Sequence, residues 1–163
     1  MVSLEQFKEN AFAHGICDEF RDKWKDGLSN KRYIDMALSV KGADYLMRAY
    51  AQGWGISKEA ILSRFKAFIN GKYILDNGKY LSQLYCGFKG KMVGPTTLLS
   101  VIDSRIFIEL PSYSFMEIYV TGKDSFLSVE GGMCVLVHIY GDTPESNIVL
   151  NNVQRGKVIK EKL

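Results

Sequence analysis

The sequence predicts an α+β protein, with a small N-terminal helical bundle over residues 1–71 followed by an all-β part over residues 72–163 built of short strands, either a sandwich or a β-solenoid. Three observations carry this prediction. Apolar residues recur at three- and four-residue steps before Gly71 and at two-residue steps after it. The segments after Gly71 are short, rich in β-branched and aromatic residues, and separated by Gly, Asp, Asn, Ser or Pro every 8–12 residues or so. No Pro- or Ser-rich stretch intervenes at the switch, so the two parts are expected to touch directly.

The first helix is expected to begin at the capping pair Ser3 and Gln6, to carry Leu4, Phe7 and Ala11 on one face, and to stop at His14-Gly15. Cys17, Phe20, Trp24 and Leu28 mark a second amphipathic helix. Tyr33, Met36, Ala37 and Val40 mark a third, stopping at Gly42, and Tyr45, Leu46, Ala49 and Tyr50 a fourth, stopping at Gly53. A fifth is expected to start at the N-cap Ser57, carry Ile61, Leu62, Phe65, Phe68 and Ile69, and end at Asn70-Gly71. Such short helices depend on tertiary packing.

Strands are expected at 80–88, 97–102, 105–110, 116–120, 126–129, 134–140, 148–150 and 158–159. Ile106/Ile108, Ile118/Val120, Leu127/Val129 and Val137/Ile139 form recurring apolar-x-apolar pairs, one apolar face per strand, which suits a stack of rungs. Residues 134–140 are apolar at nearly every position, so that strand is either covered on both faces within the chain or lies in an interface between molecules. The interface reading names Cys134, Val135, Leu136, Val137 and Ile139.

With 163 residues, 21 Lys+Arg, 18 Asp+Glu and a net charge of +3, the chain suits one ordinary soluble domain or two small ones. The charge is evenly spread, with 11 basic and 9 acidic residues up to Gly71 and 10 and 9 after it, so no polyanion-binding tail is expected. Nine Phe, nine Tyr and two Trp against three Pro argue against wholesale disorder. The opening MVSLEQFKENAF lacks the basic and apolar regions of a secretory signal, and no apolar run approaches a membrane span. Cys17, Cys86 and Cys134 are odd in number and unpaired in spacing, which points to reduced thiols and gives no zinc motif.

No catalytic, cofactor or metal signature is recognisable. His14 is read as a helix-terminal residue and His138 as an outward or hydrogen-bonded strand residue. Asp103, Glu109, Glu117, Asp124 and Glu130 are read as solvated strand-edge charges, although a hydrolase's carboxylate pair is one more reading of them. Ala51, Gly55 and Ile61 have the spacing of a helix-turn-helix, which offers a DNA-binding regulator over residues 45–69 with Lys58, Ser63, Arg64 and Lys66 as contacts; a plain helical hairpin is the structural reading of the same segment.

The stretches GWGISKEAILSRFKAFINGKY, YCGF and TTLLSVIDSRIFIELPSYSFMEIYVTG, within residues 43–141, resemble small uncharacterised proteins of bacteriophages and prophages of gut Bacteroidetes. The resemblance implies a viral protein and carries over no site residue. The expected function is a non-enzymatic structural or virion-assembly protein. It would act through the protein–protein contacts of its β part, with other phage proteins or itself as partners, in the host cytoplasm or incorporated in a virion. A membrane, a cofactor or a small-molecule substrate is not indicated, and nucleic acid enters only with the helix-turn-helix alternative.

Overall fold

The computed structural model describes residues 4–163; the capping residue Ser3 lies outside them. Five helices come first: α1 (Leu4–Ala13), α2 (Asp18–Lys23), α3 (Asn30–Ala37), α4 (Val40–Gln52) and α5 (Lys58–Arg64). Ten strands follow: β1 (Leu75–Asp76), β2 (Leu81–Cys86), β3 (Lys89–Lys91), β4 (Leu98–Ile102), β5 (Arg105–Leu110), β6 (Phe115–Thr121), β7 (Phe126–Gly131), β8 (Cys134–Tyr140), β9 (Ile148–Asn151) and β10 (Arg155–Lys160). Among the described residues no helix is long and apolar enough to cross a membrane.

The strands wind into a β-solenoid. One sheet runs β1-β2-β4-β6-β8-β10 and the other β3-β5-β7-β9. Every pairing is parallel except the short β1–β2 contact. A rung takes 16 residues at Ser82↔Leu98, 19 at Leu98↔Glu117 and at Glu117↔Leu136, and 21 at Cys134↔Arg155. The recurring apolar pairs fill the space between the sheets: Ile106, Ile108, Ile118, Val120, Leu127, Val129, Val137 and Ile139 are all at most 1% exposed. The solenoid alternative is therefore the one adopted, and a two-residue period with a constant inward parity is what lets successive rungs stack like on like.

One corner of the stack repeats a backbone feature. Cys86, Ile102, Thr121 and Tyr140 occupy one row across β2, β4, β6 and β8. The residue after each of them turns with positive φ: Gly87 (60°), Asp103 (43°), Gly122 (103°) and Gly141 (60°). Glycine takes this conformation without a Cβ penalty, and Asp is among the few side chains that tolerate it. A Cβ on Gly122 would lie 2.1 Å from Asp103 Oδ1, so the one non-glycine corner occupies the space its neighbour leaves free.

The helices lie on the outer face of the six-stranded sheet. Ala43, Leu46 and Met47 of α4, with Ile61 of α5, form one core with Leu84, Cys86, Leu98, Ile102, Tyr119 and Tyr140. A smaller cluster of Ala11, Ile16, Phe20 and Trp24 ties α1 and α2 together, with Phe7, Tyr33 and Tyr45 packed against it. The direct contact expected between the helical and β parts is thus a shared core.

Three helix boundaries differ from expectation. The second helix ends at Lys23, with Trp24 as its C-cap. Gly42 does not stop α3 but sits in the first turn of α4, where its N–H donates to the N-cap Ser39 hydroxyl at 3.1 Å. It is glycine because a Cβ there would meet the Met36 carbonyl oxygen at 1.8 Å. The fifth helix starts as expected, with the Ser57 hydroxyl accepting from Ala60 N, but ends at Arg64. The backbone leaves the helix so that Asn70, at φ 59°, can run beside β2: its N–H donates to Leu84 O at 2.9 Å, its side-chain amide donates to Cys86 O, and its side-chain oxygen accepts from Cys86 N at 2.8 Å. Three hydrogen bonds at the sheet margin outweigh continuing one apolar stripe for another turn.

Candidate functional site: the final strand and its polar clamp

Among the described residues β10 is the outermost strand of the six-stranded sheet. β10 extends the six-stranded sheet beyond β8, while the second sheet ends at β9. Among the described residues β10 has one hydrogen-bonded neighbour, β8. Arg155 N and Glu161 N donate inward, to Met133 O and Ile139 O, both at 2.9 Å. Alternation in a parallel ladder then turns the N–H groups of Gly156, Val158 and Lys160 outward. Arg155, Lys157 and Lys160 give this edge three positive charges, all on exposed residues.

What holds β10 in place is a polar network on the helix-facing side of the sheet. His138, on β8, stacks against Tyr119 of β6 with ring centroids 4.9 Å apart and 10° between planes. Its Nδ1 lies 2.6 Å from Glu161 Oε1, just past β10, and its Nε2 lies 3.0 Å from Glu117 Oε1. Both ring nitrogens thus lie within hydrogen-bond distance of a carboxylate oxygen. The Tyr119 hydroxyl donates to the same Glu117 oxygen at 2.9 Å. From the helical layer, Arg48 of α4 donates through Nη1 to Lys162 O at 2.6 Å and lies 3.7 Å from Glu161 Oε2. Arg48 Nε also donates to Asp44, which accepts from the Tyr140 hydroxyl at 2.7 Å. One clamp thus joins α4, β6, β8 and the segment after β10. His138 and Glu161 are the most sheltered of its groups, with side chains 14% and 24% exposed, against 39% for Glu117 and 41% for Asp44.

The structure separates the residues named for an interface. Val135, Val137 and Ile139 point between the sheets and are covered by the chain's own second sheet, so they correct the expectation that they offer contact surface. Cys134 and Leu136 point to the other face and are half-buried. The residues named for DNA contact fall on and just after α5. Ser63 and Lys66 are exposed; Arg64 is bonded through Nε to Asn30 Oδ1; Lys58 is half-buried, and its Cε lies 2.9 Å from where a Cβ on Gly87 would be.

The acidic residues also divide. Glu109, Asp124 and Glu130 are exposed as expected. Glu117 belongs to the clamp, and Asp103 accepts from the Tyr50 hydroxyl of α4 at 2.5 Å, which corrects their assignment to solvent. His14 stacks on Trp54 at 4.0 Å. Glu161 and the tertiary role of His138 escaped the sequence reading because their partners are 21 and 23 residues away. The signal available was the rung repeat, which brings His138 into register with Tyr119. Among the described residues no cluster of His, Cys, Asp and Glu is suited to a metal ion.

No family model matches the chain, and neither a curated protein nor a solved structure matches it.

Burial of hydroxyl and thiol groups around the sheet–helix core gives the protein an alkaline limit. Burial, reinforced by Asp44, raises the Tyr140 hydroxyl; burial and Glu117 raise Tyr119; burial and Asp103 raise Tyr50. Burial pushes Tyr45 up to about 12 and the Cys86 thiol from 9.0 to about 12. A raised value means that folding favours the neutral form, so this contribution is complete below pH 9 and declines as pH rises toward 12. Stability to urea is expected to fall steeply across that window. Tyrosinate absorbance should rise in two stages, with the second coinciding with loss of circular dichroism. A single stage for all nine tyrosines, complete before any change in circular dichroism, would contradict this.

Proposed function

We propose that the protein is a non-enzymatic assembly component that docks through its β part, by accepting an extended segment of another protein along the β10 edge. The observation that carries the reading is the edge of β10 away from β8: a parallel strand with outward N–H and C=O groups is a template for strand addition. The three positive charges along β10 disfavour pairing with a second copy of itself and favour a partner segment bearing carboxylates. The clamp supports the same reading, because an edge fixed on the helical layer spends less ordering entropy on binding. Resemblance to phage-encoded proteins suggests a virion protein as the partner.

The experiment has two parts. Amide exchange on the isolated protein at low concentration is expected to be fast at Gly156, Val158 and Lys160 and slow at Lys157 and Ile159. In complex with a partner recovered from purified particles, the first three amides become protected, and Lys160→Pro, which removes an outward donor without breaking the ladder to β8, abolishes the complex while circular dichroism is retained. Fast exchange at the three amides within the complex, or absence of the protein and of any partner from particles, overturns the reading.

A further inference from the structure

A partly open cavity of about 70 Å³ lies between the helical layer and Leu84 of β2, at the seam between the α1–α2 cluster and the core shared with the sheet. Its wall is aliphatic and aromatic, with Phe20, Ile34, Leu46 and Phe65 among the lining residues and no charged side chain among the described residues that line it. Two wall residues carry unfinished hydrogen bonding: Trp24 Nε1 and the Tyr45 hydroxyl are buried and have no partner among the described residues. Trp24 as a whole is only 5% exposed, packed by Phe7, Phe12 and Tyr33 at ring distances of 5.5, 6.3 and 5.8 Å. The indole N–H is a donor only, and the hydroxyl can donate. Buried donors are nearly always satisfied in native proteins, so two orphans among the residues lining one cavity point to a missing acceptor.

We propose that this cavity is a binding site for a small neutral molecule with a compact apolar body and one carbonyl oxygen, which accepts from Trp24 Nε1 and from the Tyr45 hydroxyl. Each part of the class follows from the wall. Carboxylates and phosphates are excluded, because an anion would be buried without a cation. A pure hydrocarbon would fill the space but leave both donors unpaired. The volume is well below that of the roughly 150 Å³ cavity that admits benzene, which restricts the occupant to a few heavy atoms. With so few atoms the affinity is millimolar. Burial holds the Tyr45 hydroxyl neutral, and so able to donate, across the physiological range.

Acetone and isobutene test this, since they share a shape and differ in the carbonyl oxygen. Trp24 and Trp54 supply two indole N–H resonances, assigned with a Trp54→Phe variant. Acetone is expected to move the Trp24 resonance downfield, saturably, and to leave that of Trp54 in place; isobutene produces no downfield displacement. Tyr45→Phe, which keeps the wall and removes one donor, weakens acetone binding several-fold while Trp24 still responds. Ala37→Leu, which fills the space from α3, abolishes the saturable response. A response linear in acetone and equal at both indoles overturns the proposal, as does an unchanged response in Tyr45→Phe. So does a long-lived water that cross-relaxes with the Trp24 indole proton, because that water already supplies the acceptor.

Discussion

Val137→Asp is expected to abolish cooperative folding at neutral pH. Val137 is 0% exposed, paired in register with Ile118 on one side and Val158 on the other, and faces the second sheet. The substitution loses the transfer energy of a buried valine, roughly 2 kcal/mol, and places a carboxylate among hydrocarbon with no cation in reach, which adds several kcal/mol. The sum is comparable to the roughly 5–15 kcal/mol that stabilises a typical domain. Urea titration followed by circular dichroism should show no transition. Leu136→Asp, one residue earlier and on the half-buried opposite face, is expected to cost about 1 kcal/mol and to leave the transition intact. Equal losses for the two variants would mean that the alternation between faces is wrong.

The second large effect is at the solenoid corner. Gly122→Ala places a methyl group 2.1 Å from Asp103 Oδ1 and 2.6 Å from its Cγ, at φ 103°. The positive φ alone costs about 1–2 kcal/mol. Displacing Asp103 also breaks its bonds to the Tyr50 hydroxyl and to Asp124 N, bringing the expected loss to about 4 kcal/mol. Gly78→Ala is the control: φ is 81°, but nothing lies within 4 Å of the added Cβ, so about 1 kcal/mol is expected. Combining Gly122→Ala with Asp103→Gly removes the obstructing carboxylate and should cost less than the sum of the two single changes, a coupling measurable by a double-mutant cycle. Strict additivity would show that the corner contact is not what Gly122 protects.

Much of the β part was legible because its information is local. The apolar-x-apolar pairs state which side chains face inward, and Gly122 and Gly141 mark turns that need positive φ, whereas Gly87 was expected inside a strand at 80–88 and instead turns the first corner. Ser57 announced the start of α5 by the same logic, since an N-cap acts within three residues. The end of that helix was illegible because Asn70 is held by β2, a strand that begins eleven residues later. Gly42 misled for a related reason: its glycine is demanded by the approach of the Met36 carbonyl, a contact between consecutive helices.

The candidate site was less legible than the fold. Asp44 and Arg48 form an i,i+4 pair that any helix reading can find, but the clamp they belong to requires Glu117, His138 and Glu161 to arrive from three successive turns of the solenoid. Likewise the apolar run at 134–140 states that cover is needed without stating who supplies it. The structure gives Val135, Val137 and Ile139 to the inter-sheet core and His138 and Tyr140 to the helix-facing side.

The sequence by itself determined the change from helices to strands near Gly71, eight of the ten strands and the inward parity of the main ones, because periodicity, caps and backbone torsions are set by residues within a few positions of one another; the short strands β1 and β3 lay outside that reading, the latter at Lys89-Gly90, read as a break. Only the tertiary structure decided that the strands stack in parallel rungs rather than face each other as a sandwich, that α4 covers one sheet, and that β10 joins the margin of that sheet beside β8. Those outcomes depend on which segments 16 to 21 residues apart pack best once their loops are closed, and the closure entropy changes too slowly with loop length to select among them.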